Sequence, residues 1–319
     1  MTDLQRTRAF GRTGFPVTPL MLGTSSWGPA RPGESDEARD ARLASLAAAF
    51  LRGTLPTNAI DTSNMYGEAR SESHIGRALA LAGGLGDGQL LQTKLDRDPR
   101  SGRFDASQME HSLAQSLERL GVDRVQVLFL HDPETIGFDA AMAPGGPVEA
   151  LVAMKERGVA ASIGISGGPV GMLQQFVETD IFDALISHNR FTLVDRSADA
   201  LYDAAAARNL GINNAATYGG GILTGDPRFA GSYGYRPIRP EVQSAVTAIA
   251  ALCREAGISM AAAALQFSLR DPRIHSTIVG VTSLDRFTDL ERECAESIPA
   301  GFWDAVDAVL PPTSAALDA

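Results

Sequence analysis

Cysteine is scarce in this chain. Cys253 and Cys294 are the two in 319 residues, and neither stands in a C-x-x-C pair. That argues against a disulfide framework or a structural zinc site, and no metal is expected. Positive charge is also short: 28 Lys+Arg face 38 Asp+Glu, a formal net charge of −10. Such a balance speaks against nucleic acid as a partner, though a small anionic cofactor needs only a local positive site. No run of 18 apolar residues occurs. The stretch 43–51 is apolar apart from Ser45, but it is short and lies between Arg42 and Arg52, so it reads as a buried helix face rather than a membrane span. Residues 1–10 hold no apolar signal core, and the expectation is a cytoplasmic protein with no membrane partner. No internal repeat of 20–50 residues is present, and no G-x-G-x-x-G follows the first strand.

What the chain does have is alternation. Short β-branched or Leu-rich runs at 17–22, 57–60, 89–93, 125–130, 160–165, 182–187, 210–213 and 276–279 read as eight strands. Segments of helical period fall between them, at 36–52, 70–81, 107–120, 147–157, 170–177, 197–208, 241–256 and 283–295, with an additional helix at 259–269 before the last strand. The third has apolar residues at 109, 113, 117 and 120 and stops at Gly121. Hydrophobic residues at 44% and charged residues at 21% suit a packed core. Together these predict one α/β domain over 1–319, a parallel (β/α)8 TIM barrel with a short N-terminal hairpin. Segments 28–34 and 225–240 read as insertions, the second with three Gly and three Pro and long enough to act as a lid. The tail 311–319 is expected to fray.

In such a barrel, working residues sit at the carboxyl ends of the strands. Asp61, Lys94 and His131 directly follow the second, third and fourth predicted strands, and Tyr66 follows Asp61 by five residues. Singly, each has an ordinary reading: a capping Asp, a surface Lys, a core His, a packing Tyr. As a set at successive strand ends they make coherent chemistry. A phenol is a poor acid–base group at neutral pH, and a nearby ammonium favours the phenolate. Lys94 would supply that charge, Asp61 would hold Lys94, and His131 would hydrogen-bond a substrate oxygen or share the proton. Such a group can protonate a carbonyl oxygen or take a hydroxyl proton, and a partner hydride needs a nicotinamide or flavin carrier.

Several stretches resemble the aldo-keto reductase family. They are Phe10-Gly11-Arg12-Thr13-Gly14, Asp61-Thr62-Ser63-Asn64-Met65-Tyr66-Gly67, Thr93-Lys94, the run 116–123, Leu130-His131, Gly164-Ile165-Ser166, 221–225 and 278–281, in the family's order over nearly the whole chain. The resemblance implies a catalytic tetrad of Asp61, Tyr66, Lys94 and His131, with Tyr66 moving the proton. It implies an extended nicotinamide dinucleotide, with Gly23 and Thr24 beside the nicotinamide and Ser166 and Asn189 on its carboxamide. Thr217, Tyr218, Gly219, Gly221, Ile222 and Leu223 would follow the pyrophosphate, where glycines let backbone N–H groups approach an anion. Gly280, Ser283 and Arg286 would meet the adenosine end.

The chain departs from the family pattern at several places. Ser166 is followed by Gly167 where Ser-Asn is common. The glutamine after strand six falls on His188 or Asn189, with Asn189 preferred because it keeps the amide. Ala215 stands where an aromatic often stacks on the nicotinamide. Thr282 replaces a cation, with Asp285 close by, which favours NAD over NADP, although Arg286 could pair with a 2′-phosphate. The run 187–196 is similar to the branch of galactose and L-fucose dehydrogenases, the D-threo-aldose 1-dehydrogenases. That branch implies oxidation of an aldose at C1 to a lactone, with Tyr66 as general base. A sugar or carbonyl substrate is expected, with Trp27 either a platform for a sugar face or a packing residue, and Tyr66 and His131 at the reacting oxygen. The alternatives are an NADPH-dependent aldehyde or ketone reductase, a pyridoxal-type dehydrogenase, or a non-catalytic dinucleotide-binding subunit. A monomer or small homo-oligomer is expected.

Overall fold

The computed structural model describes residues 3–28 and 30–319. Eight parallel strands close into a barrel: β1 (Leu20–Gly23), β2 (Ala59–Asp61), β3 (Leu90–Leu95), β4 (Val125–His131), β5 (Ala160–Gly167), β6 (Ala184–His188), β7 (Gly211–Ala215) and β8 (Ser276–Gly280). Each pairs with the next, and β8 returns to β1 with Val279 opposite Leu22 and Gly280 opposite Gly23. Several strands run one or two residues beyond their apolar runs, so that Asp61, Lys94 and His131 belong to the ladder itself. The ladder is held by backbone groups and does not care that the side chains turn polar where the barrel opens.

The helices packed around the barrel have local causes. Helix α1 (Asp36–Leu51) starts at Ser35, whose hydroxyl accepts from the Ala38 N–H, with Asp36 and Glu37 in the positive first turn. Helix α2 (Ser71–Ala82) follows β2. Helix α3 (Ala106–Leu120) is capped by Asp105 and stopped by Gly121 at φ 66°. It buries Met109, Leu113 and Leu120 as the spacing predicts, with Leu117 only partly covered. Helices α4 (Pro147–Glu156), α5 (Val170–Glu178) and α6 (Asp199–Ala207) continue the alternation. The expected additional helix is present, as α7 (Pro240–Ala256) is followed by α8 (Met260–Leu269) before β8, and α9 (Leu284–Ala295) follows it. Among the described residues no single helix is long and apolar enough to cross a membrane.

Two apolar layers result, the larger between strands and helices. The smaller fills the barrel interior with Met21, Leu90, Val127, Phe129, Ile186 and Ile278. Gly164 faces Phe129 there, and a Cβ on it would fall 2.2 Å from the ring. The predicted N-terminal hairpin exists (Arg8–Ala9 with Pro16–Val17) and plugs the barrel floor with a fully buried Phe10. The run 17–22 is therefore split: Val17 belongs to the hairpin, and β1 begins after Pro19, which has no N–H to give a ladder.

Three expectations for irregular segments resolve differently. Segment 225–240 is not structureless, since it holds a short turn (Pro227–Phe229) and a hairpin of Ser232–Tyr233 with Arg236–Pro237. In segment 28–34, Pro29 lies outside the described residues, while Glu34 bonds both Arg42 and the Arg31 N–H. The segment 311–319, expected to fray, lies against the fold. Ala315 is buried, Asp318 pairs with Arg190 at 2.6 Å and accepts from the Val170 N–H, and the Leu317 carbonyl accepts from Arg236. The tail thus anchors the hairpin of the insertion, a long-range contact that local composition does not reveal.

Candidate active site

A cleft of about 980 Å³ opens at the carboxyl ends of the strands, and Asp61, Tyr66, Lys94 and His131 all line it. Lys94 is 1% exposed, so its charge must be fully compensated. Its Nζ donates to Asp61 Oδ1 at 2.7 Å, Asp61 Oδ2 at 2.8 Å and the Thr62 carbonyl at 2.8 Å, which uses all three ammonium protons. Gln92 donates to Asp61 Oδ1, and Asn213 donates to Gln92, forming a polar chain under the site.

Tyr66 begins a tight turn in which Gly67, Glu68 and Ala69 all have positive φ. Gly67 is required by space as well as by φ. A Cβ on it would lie 2.5 Å from Ser71 Oγ and 2.9 Å from the Gly28 backbone nitrogen. The backbone of the first insertion thus presses directly on the turn that carries Tyr66, and the Ser71 hydroxyl donates to the Thr24 carbonyl. Lys94 Nζ lies 4.3 Å from the Tyr66 ring centroid.

The expectation that Lys94 lowers the Tyr66 pKa is corrected. Loss of hydration, then the carboxylates of Asp61, Asp96 and Asp132, push the phenol well above its usual value. The first cause is burial, which disfavours the phenolate; Asp61 adds to it, and because it also balances the ammonium at contact distance, little net positive charge reaches the phenol.

His131 ends β4, its ring edge-on to Tyr66 with centroids 5.6 Å apart. Its Nδ1 meets Asp96 Oδ1 at 2.7 Å. Burial disfavours the imidazolium, but Asp96 and Asp132 outweigh it and raise the pKa. Asp96 was missed by the sequence reading. It lies two residues after Lys94, hence on the same side of the extended chain.

The predicted cofactor residues divide. Gly23, Ser166, Thr217, Tyr218, Gly221, Gly280 and Arg286 line the cleft. Thr24 does not; it is buried, its hydroxyl bonded to the Asp61 carbonyl. Ile222 and Leu223 pack into the core, and Gly219 lies against the Tyr233 ring. Ser283 stands before α9 without lining the cleft.

Two choices are corrected. Ile186 and His188 alternate inward along β6, so His188 lines the cleft, whereas Asn189 turns away at φ 62° and is fully buried. Trp27 is fully buried, its Nε1 donating to the Val281 carbonyl at 2.7 Å, which leaves it a packing residue.

Other lining residues carried no sequence signal: Ser25, Ser26 and, from the insertion, Arg228, Phe229 and Tyr235; Asp132, next to His131, lines the cleft as well. Burial works against ionisation of Asp132, but the His131 charge and the polar contact with His188 hold its pKa at about 2. No metal was expected. Among the described residues, Asp132, Glu134 and His188 bring polar side-chain atoms within 4.8 Å of one another.

The cleft's dimensions and lining suit an extended dinucleotide. Ser166 supplies a hydroxyl, Gly220 and Gly221 turn the backbone at φ 78° and 108°, and a Cβ on Gly280 would meet Ser26 Oγ at 3.7 Å. Ala215 lines the cleft where no aromatic is available. At the far end Arg286 is already engaged, with Glu293 at 2.5 Å and the Tyr218 hydroxyl at 2.9 Å. Asp289, one turn beyond the expected Asp285, lines the cleft with Thr282.

Residues 19–311 match the model of the aldo/keto reductase family. The chain is 31% identical over 278 residues to the D-threo-aldose 1-dehydrogenase of a Pseudomonas species, covering 79% of this chain and 84% of that one. It is 29% identical over 284 residues to the L-galactose dehydrogenase of Arabidopsis thaliana, covering 88% and 85%. The pyridoxal 4-dehydrogenase of Microbacterium luteolum is 25% identical over 333 residues, covering 93% and 95%. A solved aldo-keto reductase from Pseudomonas aeruginosa superposes with a TM-score of 0.65 at 24% identity, over 92% of this chain and 96% of that one, which supports the fold.

Proposed function

The chain belongs to the aldo/keto reductase family of oxidoreductases, and from that premise we propose that it oxidises an aldose at C1 to a lactone with NAD as hydride acceptor. The observation that carries this reading is the convergence of Tyr66, Lys94 and His131 in one cleft with a polar corner of Asp132 and His188 beside them. Sugar hydroxyls need several acceptors and donors at once, and this corner offers them next to the reacting groups. Identity to aldose and L-galactose dehydrogenases points the same way.

The nicotinamide, when bound, supplies the carbon that takes the hydride. The chain's residues do the rest. Ser166 would face the carboxamide, the backbone from Thr217 to Gly221 would follow the pyrophosphate, and Gly280 and Arg286 would meet the adenosine end. Thr24, Asn189, Ile222, Leu223 and Ser283 support these from behind. Tyr66 and His131 bind the C1 oxygen, and Tyr66 acts as the base. NAD is favoured over NADP because Arg286 is neutralised by Glu293 and accompanied by Asp289, leaving it little charge for a 2′-phosphate.

A second reading, reduction of an aldehyde or ketone with NADPH, has one observation in its favour. The raised pKa of Tyr66 keeps its proton on, which suits an acid. Initial rates with L-fucose, D-arabinose and L-galactose plus NAD⁺, set against 4-nitrobenzaldehyde and pyridoxal with the matching cofactors, separate the readings. Tyr66→Phe should lower kcat on the order of 10²–10⁴-fold, the span of general acid–base catalysis. Absence of sugar turnover with either cofactor removes the aldose assignment.

A further inference from the structure

We propose that Asp96 is a positioning residue that, with His131, forms a carboxylate–imidazole pair setting the tautomer and charge of the group that meets the substrate oxygen. The proposal rests on reading this cleft as the site of carbonyl and hydroxyl chemistry, but its first test does not.

The geometry is specific. Asp96 is 7% exposed and both of its oxygens are used. Oδ1 meets His131 Nδ1 at 2.7 Å; Oδ2 accepts from the Met65 N–H at 3.0 Å and from the Ser63 hydroxyl. Its backbone is fixed as well: the Asp96 N–H donates to Ser112 Oγ at 3.0 Å, and Gln108 donates to its carbonyl. One carboxylate therefore ties the His131 ring to the residue immediately before Tyr66. A bond from Nδ1–H to this carboxylate leaves Nε2 as the ring nitrogen open to the cleft.

Nε2 can then work in two ways. As neutral imidazole it can take on from Tyr66, the base, the proton that Tyr66 receives from the substrate hydroxyl. As imidazolium it donates to a carbonyl oxygen, which suits the reverse direction. Asp96 balances the charge in the second form and so raises the pH at which the two forms exchange. The groups facing the ring are few. Asp61, Ser63 and Tyr66 approach from β2 and its loop, Lys94 and Asp96 from β3, and Ser166 from β5; His188 comes from β6, and Asp132 follows on the ring's own strand. Lys94 opposes the imidazolium, but Asp61 neutralises it at 2.7 Å, which leaves Asp96, 2.7 Å from Nδ1, as the dominant partner ahead of Asp132, whose Oδ1 lies 3.7 Å from Nε2.

The test begins without cofactor or substrate. The His131 imidazole is titrated by NMR in the wild-type chain and in Asp96→Asn, which keeps the shape and an acceptor oxygen but loses the charge. The His131 midpoint should fall by about one pH unit or more in Asp96→Asn. Ser63→Ala, which removes the bond to Asp96 Oδ2 and a neutral 3.3 Å contact with His131 Nδ1 but leaves Asp96 charged, should keep the midpoint near the wild-type value. With substrate, the acidic limb of kcat for oxidation should move to lower pH in Asp96→Asn by the same interval, because neutral His131 persists further into acid. An unchanged His131 midpoint in Asp96→Asn overturns the proposal, as does a midpoint that Ser63→Ala lowers equally. Failure of the sugar assignment alone would leave the NMR result standing.

Discussion

Asp61 and Lys94 form a buried ion pair in which both carboxylate oxygens meet one ammonium, at 2.7 and 2.8 Å. Removing one partner of such a pair costs roughly 3–5 kcal/mol, because the other charge is left in a dry site. Lys94→Met should therefore lose both activity and stability. Adding Asp61→Asn should restore much of the stability and none of the activity. Urea unfolding alongside kcat measurements distinguishes these effects, and a double variant no more stable than Lys94→Met would show that the pair is not what Lys94 stabilises.

The Tyr66 turn leaves no room at Gly67, whose φ of 62° is unfavourable for other residues and whose Cβ position is occupied by Ser71 and Gly28. Gly67→Ala should cost on the order of 1–3 kcal/mol from backbone strain and lower kcat by displacing the phenol. Trp27→Ala offers a contrast. It should cost about 3–5 kcal/mol as a cavity mutation and leave the KM for sugar nearly unchanged. A raised KM with unaltered melting temperature would restore Trp27 as a substrate platform.

Glu293 holds Arg286 through a 2.5 Å contact at the far end of the cleft. Glu293→Gln releases that guanidinium. The expected result is a shift in kcat/KM toward NADP over NAD of about tenfold, the scale of one charge-assisted hydrogen bond. Steady-state kinetics with both cofactors measures it, and an unmoved ratio would remove Arg286 from cofactor discrimination.

His275 supplies a stability prediction at the barrel floor. Its Nδ1 accepts the Ile212 N–H at 3.1 Å, its ring lies edge-on to Phe10, and burial, with Arg8 nearby, lowers its pKa to about 4. The folded state thus prefers the neutral ring, while the unfolded chain takes up a proton near pH 6.5. This contribution is complete above pH 6.5 and is lost as pH falls from 6.5 toward 4, by at most about 3 kcal/mol. His275→Gln should flatten that part of the stability profile in urea unfolding. A wild-type stability independent of pH over the interval would contradict it.

The alternation of eight apolar runs with amphipathic segments was enough to read the barrel. Strand and helix periods are local properties, and α3 shows it, with its Asp105 start, buried face and Gly121 stop all within one short stretch. The four residues at strand ends were legible for the same reason: each follows its own run. Their company was not. Asp96 reads as the first polar residue after a strand, and its role depends on His131, 35 residues further on. The choice between His188 and Asn189 turned on which one the pleat of β6 aims inward, and the burial of Trp27 on a carbonyl 254 residues away. The Tyr66 pKa depended on how deeply the closed barrel buries the phenol and on which carboxylates it brings near. Periodicity reports which face of an element is apolar, whereas the charge and reach of a catalytic group depend on distances between strands that meet only when the barrel closes.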